Sequence, residues 1–375
     1  MRIFYFANAS VPSRSANSVH IMKMCEALAG EGHAVTLIVP NEWLRDLGVT
    51  EPFVFYGVTA AFRLVKTPWM RWHPKGWLDL VYVGAWGLWM RLTGRPDLCI
   101  TRNLWAGVVF PILGIRTVLE LHGPVSREGR MARLLDRLGV FRNPRLLRLV
   151  VISESLRKYF VDFGVPEAKI RVLHDAVNAG LYSAPSEPGP SGSPLSIGYV
   201  GSLHAGKGME ILLALALRDP QNQYHVFGGS PADIERWRNS ASPSANVVFH
   251  GHIPNERVPE TLARMDVLLM PYLRRVAVSG NYGDVAQWMS PLKMFEYMAS
   301  GKAILCSDLP VLREVLEDDR NALLADPDDL DAWVRAVGRL SDAALRARLG
   351  ATARAEAVRD YTWEQRAKRI LPILH

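Results

Sequence analysis

Ser290-Pro291-Leu292-Lys293-Met294-Phe295-Glu296-Tyr297-Met298-Ala299-Ser300-Gly301 runs directly into Lys302-Ala303-Ile304-Leu305-Cys306-Ser307-Asp308. The first stretch reads as an apolar-faced helix. Ser290 suits the N-cap, Pro291 suits the first helical position, where its missing N–H costs nothing, and Gly301 closes the helix. The second stretch reads as a buried strand, and Val311–Leu316, containing Glu314, as the next helix. The N–H groups of Leu292 and Lys293, with the helix dipole behind them, make an anion site. Glu296, about a turn and a half further on, is placed to accept hydrogen bonds from a diol such as ribose. Phosphate and ribose held at one helix start describe a nucleotide-sugar site. The competing reading is a capped amphipathic helix with a solvated Glu.

The same alternation extends along the chain. Strands are expected at Arg2–Ala7, Ala34–Val39, Leu98–Thr101, Arg116–Leu121 and Leu149–Ile152, with a helix over Val19–Gly30. Ser183–Pro194 holds four Pro, four Ser and two Gly and reads as a linker. The pattern then restarts. Strands are expected at Ser196–Val200, Gln223–Phe227, Val247–Phe249, Val267–Pro271 and Ala303–Ser307, and helices at Met209–Leu217 and Val258–Met265. Strands separated by helices argue for parallel, doubly wound sheets. The expected organisation is a first domain over 1–182, a linker over 183–194, a second domain over 195–358 and a terminal helix over 359–375 that returns to the first domain.

A chain of 375 residues with 49% hydrophobic and 22% charged residues fits a globular protein of about two domains. Cys25, Cys99 and Cys306 lie in apolar segments and read as reduced core residues. No apolar run reaches about 18 residues, so no spanning helix is expected. The opening strand is too short for a signal peptide, and the expected location is the cytoplasm. Residues 1–180 hold 23 Lys+Arg against 14 Asp+Glu, a net +9; residues 181–375 hold 21 against 23, a net −2. A basic first half expects an anionic partner. With no nucleic-acid motif, membrane lipid or a lipid-linked phosphate is preferred. Trp69, Trp72, Trp77, Trp86 and Trp89 among Arg71, Lys75 and Arg91, and seven arginines over 125–148 with Met131, Leu134, Leu135 and Leu138 at helical spacing, describe either interfacial helices or core helices with solvated arginines.

Gly198-Tyr199-Val200-Gly201-Ser202-Leu203-His204-Ala205-Gly206-Lys207-Gly208 links a strand to a helix. Glycines permit close backbone approach, and Lys207 supplies positive charge. His122-Gly123-Pro124 follows a strand, the place for a ligand-facing side chain in such sheets; a hydrogen-bonded loop His is the alternative. No metal-ligand set is visible. Asp318-Asp319 and Asp326-Pro327-Asp328-Asp329 read as solvated turns.

The run from Ser290 to Leu316 resembles the donor-site signature of retaining glycosyltransferases of the large family 4 type, which have the GT-B fold: two Rossmann-like domains with the ligand at the carboxyl ends of the strands. The Gly201–Gly208 loop resembles that family's diphosphate-contacting element, and Arg102-Asn103 a family "R-N" pair. The resemblance implies a UDP- or GDP-sugar donor, transfer to a glycan or lipid-linked acceptor in cell-surface polysaccharide assembly, and no metal cofactor. It implies front-face substitution, in which the departing phosphate oxygen helps take the acceptor proton. It assigns His122, Lys207 and Glu296 to catalysis. It assigns Asn17, Ser18, Gly201, Ser202, Gly228, Ile253, Ser290, Pro291, Leu292 and Lys293, with Lys207 and Glu296, to the donor. Three departures stand out. Ser202 occupies a place where many members carry Arg, and Ala-Asn-Ser at 16–18 replaces a glycine pair. Trp288 stands where many members carry an earlier Glu, as in the branch with "SPLK" before the helix. Arg102, Asn281 and Asp284 are therefore candidates for sugar or acceptor contacts, an ordinary polar loop being the other reading of the last two. Rival functions are a GT-B nucleotide-sugar epimerase and a non-catalytic nucleotide-sugar-binding protein.

Overall fold

The structure is a computed structural model. It describes all residues except 14, 42–48, 60–61, 68–76, 126–134, 136–138, 184–188, 241–245, 278–283 and 372–375, and the side chains of 77 and 240. The strands are β1 (Arg2–Phe6), β2 (Ala34–Pro40), β3 (Arg63–Thr67), β4 (Leu98–Thr101), β5 (Thr117–Leu121), β6 (Leu146–Val151), β7 (Ile170–Val172), β8 (Ser196–Val200), β9 (Gln223–Phe227), β10 (Val247–Gly251), β11 (Val267–Met270), β12 (Ala303–Ser307) and β13 (Leu323–Ala325). The principal helices are α1 (Ala16–Gly30), α2 (Trp77–Trp89), α3 (Leu104–Ile112), α4 (Glu154–Asp162), α5 (Met209–Arg218), α6 (Pro231–Ser240), α7 (Val258–Ala263), α8 (Leu292–Ser300), α9 (Leu330–Arg339), α10 (Ala343–Asp360) and α11 (Trp363–Ile370).

The chain forms two compact units, Met1–His174 with Trp363–His375, and Asp175–Thr362. The division therefore falls at His174/Asp175, earlier than the proline-rich stretch. Residues of that stretch belong to the second unit, where Ser191 Oγ accepts from the N–H of Ala343 (2.9 Å).

The first unit is built on a seven-stranded sheet in the order β3-β2-β1-β4-β5-β6-β7, and the second on a six-stranded sheet in the order β10-β9-β8-β11-β12-β13. Every pairing is parallel. Both orders are doubly wound and reverse direction once, between β1 and β4 and between β8 and β11. Ligands bind outside the strand carboxyl ends at such switch points. Central strands are buried on both faces, so they read as unbroken apolar runs. Alternate residues of β12 show this. Ala303 and Leu305 pack in one cluster with Trp333, while Ile304 and Cys306 pack in another with Phe295. In the first unit Phe6, Ile38, Cys99 and Phe110 pack together beneath α2 and α3. All three cysteines are free and buried. Among the described residues no helix is long and apolar enough to cross a membrane.

Local chemistry explains several boundaries. The Ser15 hydroxyl accepts from the N–H of Ser18 (3.2 Å) and starts α1 three residues before the apolar spacing begins. Gly301 ends α8 in the left-handed conformation, φ +69°. Two expectations fail. Val311–Val315 forms successive turns, not a helix; Leu312 and Leu316 are buried within the connection between β12 and β13. Ser290 does not cap α8 either. The helix starts at Leu292, with Pro291 at the cap in extended conformation and no side-chain cap, because Ser290 Oγ is occupied by the N–H of Asp175 (2.9 Å).

The tryptophan-rich segment divides. Trp69, Trp72 and the side chain of Trp77 lie outside the described residues. Trp86 packs against the first unit's core and edge-on to Trp89, with ring centroids 5.2 Å apart, so the interfacial reading fails for it. Trp89 is exposed, as are Val81, Leu88 and Leu92. Of the 125–148 segment, Leu135 is buried, while Met131, Leu134 and Leu138 lie outside the described residues.

Candidate active site

In the second unit the sequence motifs converge on the switch point. The loop after β8 brings Lys207, the end of β11 brings Tyr272, and α8 brings Lys293 and Glu296. Lys293 Nζ sits 3.9 Å from the ring centroid of Tyr199 and 5.4 Å from that of Tyr272, and Lys207 Nζ is 4.9 Å from the Tyr272 centroid. Lys293 Nζ is buried with no hydrogen-bond partner. Cation–π contacts offset part of that cost, but two ammonium groups around one aromatic ring repel each other. Burial and the neighbouring charge of Lys207 hold the Lys293 ammonium well below its usual range, with Glu296 pulling the other way. Burial brings Lys207 down to about 8 and pushes the Glu296 carboxyl up to about 7, against the pull of Lys293. A dianion placed among these groups would relieve the repulsion and restore both ammonium charges.

Tyrosines hold the frame. Tyr297 O–H accepts from the N–H of Val200 (2.8 Å), tying α8 to β8, and Tyr199 O–H donates to the carbonyl of Ser202 (2.7 Å). The glycines serve loop packing. A Cβ on Gly208 would meet the Pro271 carbonyl oxygen at 1.6 Å, and one on Gly201 would meet Lys293 Nζ at 2.6 Å. Gly201 thus makes room for the ammonium group. Gly228 follows β9, where its N–H donates to the Gly251 carbonyl (2.6 Å). Ser202 is exposed, and Ile253 packs against the core. Leu292 and Lys293 open α8 without a side-chain cap, as an anion site requires.

Asp284 is a loop brace. Its Oδ1 accepts from the N–H groups of Val276 and Ala286, both at 2.9 Å, which commits that oxygen to the backbone. Asn281 lies outside the described residues. The aspartate turns are solvated as expected. Asp326 and Asp328 pair with exposed Arg274, and Asp319 pairs with Arg339 and Arg348.

In the first unit His122 stands just past β5. Its Nε2 is 2.6 Å from Glu120 Oε1. The same oxygen lies 2.9 Å from His20 Nε2 and 3.0 Å from Arg366 Nη2. This network was not legible in the sequence beyond the i, i+2 spacing of Glu120 and His122, which puts both on one face of a strand. Arg102 and Asn17 each keep one buried polar atom without a hydrogen-bond partner, Nη1 and Oδ1. Asn103 caps α3 through Oδ1, accepting from Ala106 (3.1 Å). The Ser18 hydroxyl donates inside its own loop, to the carbonyls of Ser13 and Ser15, both 2.9 Å away.

His20, Glu120 and His122 are the one group of three or more possible metal ligands among the described residues. The Arg366 guanidinium on the same carboxylate oxygen sets a fixed positive charge against any cation there, so the donor set fits a hydrogen-bond network better than a metal.

Two parallel doubly wound domains, one carrying two lysines and a carboxylate at its switch point, are the architecture of the GT-B fold with a candidate anion site. Family models agree: residues 18–181 match "Glycosyltransferase Family 4" and residues 209–372 match "Glycosyl transferase-like". The chain belongs to the family 4 glycosyltransferases and is a transferase enzyme of the GT-B fold. It is 22% identical to the phosphatidyl-myo-inositol mannosyltransferase of Mycolicibacterium smegmatis, over 94% of this chain and 88% of that one. Sucrose-phosphate synthase from Thermosynechococcus elongatus shares the fold with TM-score 0.73 and 20% identity, over 99% of this chain and 97% of the other. Anabaena HepE in complex with UDP does so with TM-score 0.72 and 15% identity, over 99% and 98%.

Proposed function

We propose that this enzyme moves a sugar from a UDP- or GDP-sugar to a glycan or lipid-linked acceptor in polysaccharide or glycolipid assembly, with retention and without a metal ion. The observation that carries this reading is the pair Lys207 and Lys293 around the Tyr272 ring, Lys293 unsatisfied and buried. Lys207 on the loop after β8 and Lys293 on α8, both charged once the diphosphate is bound, do for the departing group what a divalent ion does elsewhere. Glu296 takes the ribose diol, and Lys207 stabilises the leaving phosphate. His122 lies near the transferred sugar. The mannosyltransferase of M. smegmatis and UDP-bound HepE support the kind of acceptor and donor.

The finer reading places the enzyme at the cytoplasmic face of the membrane, held there by its first unit. It is supported by exposed Leu88, Trp89 and Leu92 beside Arg91 and Arg95, and by the +9 balance of residues 1–180.

The deciding experiment is product analysis with a panel of UDP- and GDP-sugars, with and without EDTA. Transfer with the donor's anomeric configuration kept and EDTA without effect is expected. Inversion, isomerisation of the donor, binding without turnover, or activity restored only by Mg²⁺ or Mn²⁺ would each overturn the corresponding part.

A further inference from the structure

Glu120 is a buried carboxylate outside the donor site, and it is surrounded by donors. Arg366 Nη2 donates to Oε1 at 3.0 Å and His122 Nε2 lies 2.6 Å away on the same oxygen, while His20 Nε2 approaches it at 2.9 Å. The Tyr5 hydroxyl is 3.5 Å from the other oxygen. Burial alone would push this carboxyl up. Arg366, His20 and His122 together outweigh burial and hold it well below the usual carboxylate range. An ionised carboxylate only accepts hydrogen bonds. His122 Nε2 must therefore carry the proton, and in the neutral ring Nδ1 is then the acceptor nitrogen.

Arg366 is itself anchored. It stands on α11 and donates through Nε to the His174 carbonyl (2.9 Å) and through Nη2 to the Leu173 carbonyl (3.2 Å). Three residues earlier on the same helix face, Trp363 packs edge-on to His20, which packs edge-on to His122; both centroid distances are 5.0 Å. Side-chain exposure separates the roles: 0% for Glu120, 2% for His20 and 3% for Arg366, against 22% for His122. Three members are dry, and His122 is the one that reaches solvent.

We infer that Glu120 and Arg366 are positioning residues for His122: Arg366, delivered by the C-terminal helix, keeps Glu120 in place, and Glu120 fixes the ring plane and tautomer of His122, so that Nδ1 accepts a hydrogen bond from a hydroxyl of the sugar or acceptor. The inference rests on the reading of His122 as a sugar-side residue. It makes the last helix of the chain part of the first unit's chemistry, and it gives the Glu-x-His spacing at the end of β5 a function.

The test has two independent readouts. In full-length protein labelled with [¹⁵N]histidine, the His122 side chain, identified by its loss in His122→Ala, should report the Nε2–H tautomer. Glu120→Gln, which keeps shape but lets the amide donate as well as accept, should shift that signal toward a tautomer mixture. Both Glu120→Gln and Arg366→Ala should lower kcat on the order of 10- to 100-fold with KM little changed, and Arg366→Lys should recover part of the loss. Should Arg366→Ala fail to fold, the isosteric Glu120→Gln variant still decides. An Nδ1–H tautomer in the parent protein, or Glu120→Gln with unchanged His122 signals and unchanged kcat, overturns the inference. Stoichiometric Zn²⁺ binding that moves the His20 and His122 signals also overturns it, in favour of a metal site. A normal tautomer with full kcat in His122→Ala would instead remove His122 from the reaction, which is failure of the functional reading and not of the positioning geometry.

Discussion

The two units solve opposite electrostatic problems at the carboxyl edges of similar sheets. In the first, one buried negative charge, Glu120, has Arg366 and two histidines arranged around it. In the second, two positive charges, Lys207 and Lys293, share the Tyr272 ring, and Lys293 Nζ has no hydrogen-bond partner. A buried carboxylate surrounded by donors is held in place before any ligand arrives. Two buried lysines, one of them without a hydrogen-bond partner, are costly to charge alone and gain on binding an anion. The first unit therefore presents a preformed side chain, His122, and the second presents a site that an anion such as the proposed nucleoside diphosphate would stabilise.

The largest expected effect tests that site. Lys207→Ala removes a charge aimed at the departing phosphate, so kcat should fall about 10²- to 10³-fold, the usual loss when one donor to a developing anion is deleted. Single-turnover kinetics at saturating donor isolates the step. Loss of affinity with unchanged turnover would show that Lys207 binds the ground state only.

Glu296→Gln should weaken nucleotide and nucleotide-sugar binding alike by about 1.5–3 kcal/mol, the value of a charge-assisted hydrogen bond. Calorimetry with the free nucleoside diphosphate reads this without turnover. Equal affinity in parent and variant would remove Glu296 from the donor site.

The pH dependence of donor binding sharpens the contrast further. Glu296 stands at about 7 and Lys207 at about 8 in the free protein. The diol contact needs the carboxylate, so affinity should rise as pH climbs through about 7. The phosphate contact needs the ammonium, so affinity should decline above about 8. Glu296→Gln should flatten the low-pH limb and leave the high one. The stability linkage of each group runs the other way. Glu296 is raised from 4.5, so its share of folding stability is full below that value and is lost as pH rises through about 7. Lys207 is lowered from 10.5, so its share is full above that value and is lost as pH falls through about 8. A ligand-free melting series showing no such loss in either direction would argue that these groups are solvated.

The contrast also explains what the sequence could and could not reveal. The second site is local. Strand, glycine loop and Lys207 lie within a dozen residues, and Lys293 and Glu296 share one helix, so the donor loop was legible from spacing, as were five strands of each sheet; the edge strands β3, β7 and β13 were not. The first site joins Glu120 to Arg366 across 246 positions, and no periodicity carries that. The cap was misassigned for a related reason. Ser290 has the chemistry of a cap, but the Asp175 N–H takes its oxygen; the bracing of Asp284 Oδ1 by the Val276 and Ala286 N–H groups was equally invisible in the sequence. The turns at Val311–Val315 carry helical composition, but their apolar residues are buried in the connection between β12 and β13 without completing a helix.

The smallest expected effect concerns the surfaces. Residues 1–180 carry +9 and residues 181–375 carry −2, and the exposed apolar residues Leu88, Trp89 and Leu92 lie beside Arg91 and Arg95 in the first unit. A basic residue near an anionic bilayer contributes about 1 kcal/mol, and an exposed Trp settles at headgroup depth. Because Trp86 packs into the core and the Trp89 ring stacks on Phe4 of β1, centroids 6.1 Å apart, Leu92→Ser is the substitution expected to change binding without loosening the sheet, and Trp89→Ala is compared with the parent by thermal melting before its binding is read. Co-sedimentation with vesicles rich in anionic lipid should show binding at low salt that weakens several-fold in each variant and falls as ionic strength shortens the range of the charge. Neutral vesicles should leave the protein in the supernatant. Binding that ignores both substitutions but keeps its salt dependence would move the contact to another basic face of the chain. Absence of binding to anionic vesicles at low salt would leave the first unit's charge to a soluble, anionic acceptor.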